Sequence, residues 1–417
     1  MPYEFSQEGL TLQAEVKRFM SEKIFPAEHE FERQYEALGE HSTPQILEDL
    51  KAEARSRGLW NMFLPHLRPG HPGTKLSNVD YAPISEQLGK VEFASEVFNC
   101  NAPDTGNMEI LNTYANDAIR EQWLVPLLNG EIRSGFAMTE PAVASSDATN
   151  ISLSIARDGD DYVLNGRKWF TSGLMADRCK VMIVMGKTNP TAARHRQQSM
   201  IVVPKNTPGV TVERSLTVFG NEDRGGHGQV LFTNARVPAD HILGEEGGGF
   251  AISQARLGPG RIHHCMRAIG LAERALELMV RRALSRTAFG TPISEKGLIQ
   301  DWIAESRIEI DMAREYVLRC AHLMDTVGNR EAAGEISGIK VAVPNIVLKV
   351  IDRAIQVHGA AGVTQDFPLA KMWAHARTLR IVDGPDEVHK MTIARRELKK
   401  YEAEKPSTPE QHVFTRP

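Results

Sequence analysis

FAMTEPAVASSD, residues 136–147, is the stretch from which the fold and the chemistry of this chain are best inferred. It predicts the end of a strand followed by a turn rich in threonine, serine and small residues. Such a turn offers hydroxyl and free N–H groups to an anion or to the edge of a ring. An ordinary polar turn has the same composition, so the surrounding sequence must decide between the two.

Amphipathic segments precede this stretch and predict a helical first third. Three of them are residues 10–24, expected to stop at Pro26, residues 46–57, with Gly58 as the C-cap, and residues 117–128. Residues 65–78 contain prolines and glycines and predict a loop.

The pattern of apolar and polar residues changes after residue 133. Apolar residues alternate with polar ones at Ile151, Leu153 and Ile155, the period of a half-buried strand. Asp158-Gly159-Asp160 and Asn165-Gly166 are predicted turns, and short β-branched runs follow. We expect a middle β domain, a barrel or sandwich, over residues 134–247.

Long helices return in the last third. One apolar seam runs from Ile303 to Val327 at spacings of three and four, and a second runs from Ile336 to Val357 through Pro344. They predict a C-terminal four-helix bundle. The fold class is therefore α+β: a helical domain (1–133), a β domain (134–247), a helical bundle (248–405) and a tail (406–417).

Composition narrows the possible functions. The 417 residues carry a net charge of −4, which argues against a nucleic-acid binder. The four cysteines lie far apart with no CxxC pair, so no metal site is expected and a reducing compartment is the simplest interpretation. No run of about 18 apolar residues predicts a membrane span. The N-terminus does not resemble a targeting peptide, so we expect a cytoplasmic protein.

The chain has no GxGxxG motif, the usual signature of dinucleotide binding on a Rossmann fold. Gly247-Gly248-Gly249 precedes a predicted helix, but its spacing does not fit that signature. A glycine-rich hinge into the last domain explains it better, so a bound dinucleotide would have to be held in another way.

Four segments in order resemble elements of the acyl-CoA dehydrogenase family, over nearly the whole chain. They are the stretch 136–147, with Ala144 in place of a family glycine, the Asn-Gly-Arg-Lys-Trp-Phe-Thr-Ser segment 165–172, Arg286-x-x-Phe289-Gly290, and the glutamine–glycine segment 356–362. The resemblance implies FAD as cofactor and an acyl-CoA thioester as substrate, oxidised at the α and β carbons to a trans-2-enoyl-CoA.

The same resemblance assigns expected roles to individual residues. Those expected beside the flavin ring system are Phe136, Met138, Thr139, Ser145, Trp169, Thr171, Ser172 and Glu387. Those expected to hold the diphosphate and adenine of a flavin in a neighbouring subunit are Arg286, Phe289, Gln356 and Gly359. The resemblance therefore implies a homodimer or homotetramer, with electron-transfer flavoprotein as electron acceptor.

Within the family, the chain looks most like the branch of acyl-CoA dehydrogenase family member 11, without the kinase-like domain of its animal members. One departure is Lys296-Gly297, where many relatives have His-Gln after the Phe-Gly pair.

The reaction needs a carboxylate that removes the α proton, and burial is expected to raise the pKa of that base. Most members place a glutamate near the C-terminus; the matching residue here is Asp383, and the alternative position on an earlier helix is Gly260. Asp383 is therefore the expected base, although Asp-Gly is also a common turn. Aspartate is about 1.5 Å shorter than glutamate. Either the substrate lies deeper in the site, or the space admits a bulkier α carbon.

Other residues are expected around the substrate. Arg261 is predicted to set the electrostatics near the base or near the substrate carbonyl. The substrate contacts predicted by resemblance are Ser145, Arg261, Gly384 and Arg395. Arg395 could equally be an ordinary basic helix residue. His263-His264 resembles a ligand pair, but adjacent side chains diverge on a helix, which argues against a metal.

Two other functions remain open on the same fold. One is a flavin oxidase that uses O₂, such as nitroalkane oxidase, which also has an aspartate base. The other is a flavin-bearing DNA-binding relative, against which the net charge and the intact base both argue.

Overall fold

The structure of the protein is a computed structural model that describes residues 3–222 and 224–402. A helical region, a sheet and a second helical region follow one another, which confirms the predicted fold class. The predicted tail, residues 406–417, lies outside the described residues.

The N-terminal region packs helices around one apolar core that continues into the C-terminal region. Its helices are α1 (Gln7–Phe19), α2 (Phe25–Leu38), α3 (Gln45–Ser56), α4 (Asn78–Leu88), α5 (Ala94–Val97), α6 (Asp104–Tyr114), α7 (Asp117–Ile119) and α8 (Val125–Leu128). Helix α3 and its end at Gly58, which has a φ of 74°, are as predicted.

The first predicted helix does not stop at Pro26, so that prediction is wrong. A π turn, Met20–Ile24, joins α1 to α2, and Pro26 lies in the first turn of α2. Proline lacks an N–H group and is tolerated where the helical ladder is already interrupted, which the π turn provides. Pro126 follows the π turn Arg120–Leu124 in the same way, so the predicted helix 117–128 is interrupted.

The middle region is a seven-stranded sheet in which β1 pairs with both β4 and β3, so that part of the sheet closes into a ring. The strand order is β1-β4-β2-β3-β7-β6, with β5 on β4. The strands are β1 (Arg133–Ala137), β2 (Ser154–Asp158), β3 (Asp161–Ser172), β4 (Cys179–Lys187), β5 (Gln198–Pro204), β6 (Val210–Ser215) and β7 (His227–Pro238).

One predicted turn of this region is confirmed and the other is wrong. Gly159, with a φ of 61°, turns β2 into β3 as expected. Asn165-Gly166 lies inside β3, where the pairing with β7 shifts register between Leu164 and Gly166. Gly166 has a φ of 143°, a value that glycine adopts readily, so the dipeptide makes a bulge and the strand continues.

Strand β4 is buried on both faces, which explains its unbroken apolar run. Val181, Ile183 and Met185 belong to the core shared with the helices. Met182 and Val184 belong to a separate core inside the sheet. The sheet is therefore covered by helices on one side, and its ends lie against the helical regions.

The C-terminal helices are α9 (Gly249–Ser285), α10 (Gly297–Thr326), α11 (Ala333–His358), α12 (Leu369–Thr378) and α13 (Asp386–Lys400), with a two-stranded ribbon, β8 (Thr287–Ala288) and β9 (Thr291–Pro292), after α9. Gly89 and Gly270 let the end of α4 cross close to α9, since a Cβ at Gly270 would lie 1.8 Å from the carbonyl oxygen of Glu86. The predicted seam of α10 is buried from Ser306 to Met324.

None of the helices in the described part of the chain combines the length and apolar character needed to cross a membrane. Each of the four cysteines is buried with a free thiol.

Candidate active site

The first two motifs lie side by side at one end of the sheet. Phe136 of β1 is paired with Ser172 of β3. The Thr139 hydroxyl donates to the Trp169 carbonyl oxygen at 2.7 Å, and the Trp169 N–H donates to the Thr139 carbonyl oxygen at 3.1 Å. These contacts hold the two segments together, so that the partly exposed residues Phe136, Thr139, Trp169 and Ser172 lie on one sheet surface.

A buried ion pair between Lys168 and Glu140 lies behind this surface. Lys168 Nζ donates to the Met138 carbonyl oxygen at 2.7 Å and to the Glu140 carboxylate at 2.8 Å. The Glu140 carboxylate also accepts from the Ser152 and Leu153 backbone N–H groups. Burial lowers the pKa of Lys168 to about 8 against the opposing effect of Glu140. The pair fixes the turn that starts at residue 138.

Ser145 closes the same turn. Its hydroxyl oxygen accepts a hydrogen bond from the Glu140 N–H at 2.9 Å, and the side chain is partly buried. The structure thus gives Ser145 a role within the turn itself.

Thr171 carries a polar group without a partner. The side chain is fully buried, and its hydroxyl has no hydrogen-bond partner among the described residues. The neighbouring Ser172 hydroxyl lies 2.9 Å from His227 Nδ1. A buried unsatisfied hydroxyl is costly, so its presence at this strand end indicates a group that a ligand would satisfy.

The loop between α12 and α13 carries Asp383 in a left-handed conformation. Its φ is 54°, and that of Gly384 is 100°. Aspartate and glycine adopt positive φ more readily than most residues. A side chain at Gly384 would place its Cβ 2.8 Å from His389 Nε2. The Asp-Gly sequence therefore does form a turn, and that turn presents the carboxylate.

Three cationic or imidazole side chains hold the backbone of this loop. Arg261 Nε donates to the Asp383 carbonyl oxygen at 2.9 Å, and His389 Nε2 lies 3.3 Å from the same oxygen. Lys340, fully buried on α11, donates to the carbonyl oxygens of Leu379 and Gly384. These hydrogen bonds form a clamp on the backbone of this loop, the base loop, and the carboxylate of Asp383 takes no part in them.

The pKa of the Asp383 carboxyl group is lowered by its surroundings. Burial raises the pKa, but His264, Arg256, Arg261 and Lys340 together lower it below its usual value. The expectation that desolvation would raise the pKa of the base is therefore wrong, because the imidazole of His264 and the cationic groups on α9 and α11 together outweigh burial.

Arg256 connects the base loop to the sheet surface, and the sequence did not reveal its role. Its guanidinium carbon lies 3.7 Å from the centre of the Phe136 ring, and its Nε donates to Asn107 Oδ1 at 3.2 Å. Arg256 is buried, and its charge acts on Asp383 and Glu109. Arg256 of α9 therefore contacts α6 and the end of β1, and its charge also acts on the loop that carries Asp383.

A spacing signal in the sequence could have found these residues. Arg256, Gly260, His264 and Arg267 recur at intervals of four, four and three, which places them on one face of α9. Gly260 faces the base, since a Cβ there would lie 3.4 Å from Asp383 Oδ2, an ordinary contact distance. The polar face of a long helix is thus the face toward the site.

Glu109 of α6 is a second charged group that sequence reasoning missed. Burial raises the pKa of its carboxyl group to about 8, against the lowering effect of Arg256. Its Oε1 has no hydrogen-bond partner among the described residues. At neutral pH this carboxyl group is therefore largely protonated beside a buried arginine.

The last two motifs meet elsewhere, on the C-terminal region. Phe289, which is 99% exposed, and Gln356 line one surface hollow of about 310 Å³. Lys296, the departure from the family pattern, lines the same hollow, and its Nζ donates to Thr291 Oγ1 at 2.7 Å. The hollow is formed by residues 288–299 and 356–357, so it contains no part of the sheet surface.

The other predicted residues remain exposed in the single chain. Arg286 lies at the end of α9, and Gly359, with a φ of 65°, lies at the end of α11. Both residues are exposed, and both are close in sequence to residues that form the hollow. Glu387 and Arg395 are exposed on α13, where neither side chain makes a hydrogen bond or ion pair with another described residue.

Comparison with known proteins agrees with this architecture. Three family models match in order: the acyl-CoA dehydrogenase N-terminal domain over residues 6–131, the middle domain over 135–235 and the C-terminal domain over 247–398. These matches define the class, a three-domain oxidoreductase. The chain belongs to the acyl-CoA dehydrogenase family.

Relatives extend the match over nearly the whole chain. It is 54% identical over 401 residues to the Mycobacterium tuberculosis protein described as "Probable acyl-CoA dehydrogenase FadE2", covering 95% of this chain and 97% of the relative. It is 52% identical over 400 residues to acyl-CoA dehydrogenase family member 11 of Mus musculus, covering 94% of this chain and 51% of the relative. The expected resemblance to that branch is confirmed, and the chain spans about half the length of this animal relative.

Solved structures share the fold. One from Mycobacterium abscessus is 49% identical with a TM-score of 0.91, covering 96% of this chain and 100% of that one. PigA, solved with FAD and proline, has a TM-score of 0.82 at 22% identity, over 96% of this chain and 100% of that one. At that identity the similarity to PigA shows the common fold.

Proposed function

We propose that the protein catalyses the FAD-dependent α,β-dehydrogenation of a fatty acyl-CoA thioester to the trans-2-enoyl-CoA, with Asp383 as the base. The observation that carries the proposal is that Arg256 lies against the Phe136 ring, 3.7 Å from its centre, while its charge lowers the pKa of the Asp383 carboxyl group. It joins the end of the sheet that resembles a flavin-binding segment to the loop that carries a buried carboxylate.

The residues at the sheet surface fit an FAD. The Thr171 hydroxyl is buried without a partner, the turn from residue 138 to 145 is held rigid by Glu140, and Trp169 is partly exposed beside it. PigA, which shares this fold, has been solved with FAD. A bound flavin supplies the acceptor for the hydride that leaves the β carbon of the substrate.

The base loop supplies the proton acceptor. Because its pKa is lowered, Asp383 is ionised throughout the neutral range and can accept a proton without first losing one. A low pKa also makes the carboxylate a weak base. An acyl chain in contact with the carboxylate would exclude water from it and would therefore raise its basicity during the reaction.

Arg256 and Arg261 have different roles in this proposal. Arg261 fixes the backbone of residue 383, so the position of the carboxylate is set before substrate binds. Arg256 lies against the Phe136 ring, and its charge favours the ionised, proton-accepting form of Asp383. Ser145, Gly384 and Arg395 are proposed as further contacts of the acyl-CoA.

A second copy of the chain completes the cofactor site in this proposal. Phe289 is 99% exposed and lies with Gln356 and Lys296 in a hollow away from the sheet surface. Such a hollow, with Arg286 and Gly359 near it in sequence, would hold the adenine end of the flavin bound in the neighbouring subunit. We further propose a homotetramer or homodimer that works in fatty acid β-oxidation in the cytoplasm and passes electrons to electron-transfer flavoprotein.

The test is anaerobic bleaching of the purified, FAD-loaded protein by saturated straight-chain acyl-CoAs from butyryl-CoA to palmitoyl-CoA. We expect loss of flavin absorbance with at least one of them and formation of the enoyl-CoA in equal amount. No bleaching by any of these esters would contradict the proposal. Rapid recovery of colour in air, with production of H₂O₂, would instead indicate an oxidase.

A further inference from the structure

His264 faces the carboxylate that the proposed function uses as base. Its Nε2 lies 3.4 Å from Asp383 Oδ2, and the same carboxylate oxygen lies next to Gly260, one turn earlier on α9. Both side chains are largely buried, with 19% and 17% exposed. A separation of 3.4 Å becomes a good hydrogen bond after a small side-chain movement, as catalytic contacts commonly do when substrate binds.

A third residue determines which ring nitrogen of His264 carries the proton. Arg267 Nη2 lies 3.3 Å from His264 Nδ1. A guanidinium group can only donate hydrogen bonds, so Nδ1 must accept and the proton must sit on Nε2. The N–H group of His264 therefore points toward Asp383.

The surroundings keep this histidine neutral. Burial, together with the charges of Arg267, Lys340 and His375, lowers the pKa of His264 to about 3, although Asp383 raises it. A neutral imidazole with a fixed tautomer is a directional donor and does not take up the proton that the carboxylate receives.

We infer that His264 is a positioning residue that holds the Asp383 carboxylate in its reactive orientation, with Arg267 fixing the tautomer. The inference rests on the proposed function, in which Asp383 is the base. In it, Arg267, His264 and Asp383 form a chain of directed contacts across the same face of α9.

The adjacent His263 provides a matched control. It is 1% exposed, its ring lies 5.1 Å from that of Tyr81 and 6.3 Å from that of Phe63, and neither ring nitrogen has a hydrogen-bond partner among the described residues. His263→Phe keeps the aromatic contacts and removes two unpartnered nitrogens. We expect this variant to reduce its flavin at the wild-type rate.

The variants His264→Gln and His264→Asn test the inference. The Gln amide reaches the position of Nε2, whereas the Asn amide is shorter by one C–C bond, about 1.5 Å. The substrate for this test is the acyl-CoA, among those from butyryl-CoA to palmitoyl-CoA, that bleaches the wild-type protein fastest. With it, we expect His264→Gln to retain most of the rate of flavin reduction. We expect His264→Asn to lose about tenfold, with acyl-CoA affinity changed less than the rate.

The pH profile of flavin reduction separates a positioning role from a general loss of stability. The groups that face Asp383 are Arg256, Arg261 and His264 on α9, Lys340 on α11 and His389 on α13. Removing a donor to a carboxylate raises the pKa of that carboxylate. The acid limb should therefore move upward by about one pH unit in His264→Asn and remain in place in His264→Gln and His263→Phe.

A spectroscopic measurement tests the same inference without activity. In ¹⁵N NMR of histidine-labelled protein, the His264 signals are those missing from His264→Gln. We expect a neutral ring protonated on Nε2 from pH 5 to 9. A proton on Nδ1, or a titration near pH 6.5, would overturn the inference, as would identical rates and profiles for His264→Gln and His264→Asn. Normal bleaching of Asp383→Asn would instead remove the proposed base itself.

Discussion

The Arg261 guanidinium donates from Nε to the backbone carbonyl oxygen of Asp383 at 2.9 Å. The arginine therefore binds the backbone of the loop, and its charge reaches the carboxylate only from a distance. His389 approaches the same carbonyl oxygen from α13 at 3.3 Å. The contacts that hold the backbone of Asp383 therefore do not involve its carboxylate. A side-chain substitution at this residue tests the carboxylate and leaves the backbone contacts in place.

Asp383→Asn should abolish flavin reduction while preserving substrate binding. The amide has the size of the carboxylate, and the backbone clamp by Arg261 is unchanged. Loss of a general base typically lowers the rate about 10²–10⁴-fold. Stopped-flow reduction by the best acyl-CoA measures this rate, and spectral perturbation of the flavin measures binding. A rate near that of wild type would direct the search to Asp386 or Glu387.

Lys340→Met should destabilise the base loop. Lys340 is fully buried and donates to the carbonyl oxygens of Leu379 and Gly384, which the variant leaves unsatisfied. We expect a loss of about 1–3 kcal/mol in the free energy of unfolding, measured in urea. Lys349→Met on the same helix, where the lysine is 61% exposed in a pair with Glu309, should change it by less than about 0.5 kcal/mol.

Glu109→Gln should make stability less dependent on pH. Burial raises the pKa of Glu109 to about 8 from 4.5, so the folded protein binds a proton that the unfolded chain releases between these values. Its contribution to stability therefore falls as pH rises through this window. Relative to wild type, the variant should gain on the order of a few kcal/mol between pH 5 and pH 9. Urea unfolding at both pH values gives this difference, and no difference would mean that Glu109 ionises normally.

Thr171→Val should separate apoprotein stability from cofactor affinity. The Thr171 hydroxyl is buried without a partner among the described residues, so its removal should stabilise the apoprotein by about 1 kcal/mol. FAD affinity should fall about fivefold to tenfold if that hydroxyl binds the flavin. Thr207→Val is the control, because the buried Thr207 hydroxyl donates to the Pro204 carbonyl oxygen at 2.8 Å. This control should lose stability and keep FAD affinity.

Arg286→Ala should lower FAD content and the population of oligomer together. If Arg286 binds a flavin held by a neighbouring subunit, cofactor binding and assembly are linked by mass action. Sedimentation analysis and the ratio of flavin to protein absorbance measure both quantities. Arg281→Ala, on the same helix and 75% exposed in a pair with Glu277, is the control and should change neither. A normal oligomer with normal FAD content in Arg286→Ala would contradict the shared site.

Periodicity predicted the fold where one physical rule dominated. The seam of α10 was readable because a long helix buries one stripe of residues. Pro26 and Asn165-Gly166 were misread because each has a local meaning that the surroundings override. A π turn absorbs the missing N–H of Pro26, and pairing with β7 turns Asn165-Gly166 into a bulge within β3.

The site was predictable only where the sequence contains a recognisable motif. Phe136, Ser172 and Asp383 were expected there. The structure pairs Phe136 with Ser172, and Arg256, which lies against Phe136, acts on Asp383 through its charge. Glu109 and Lys340 were missed because their significance depends on burial. An isolated charge on an amphipathic helix gives no sign that the folded chain will cover it.

The left-handed backbone at residue 383 limits how this enzyme could change during evolution. With a φ of 54°, the position favours aspartate, asparagine or glycine over longer side chains. Of these three, aspartate alone carries a carboxylate. A descendant that exchanged Asp383 for a longer acid would gain reach at a cost in backbone conformational energy, so the loop bears on which carboxylate a lineage keeps here.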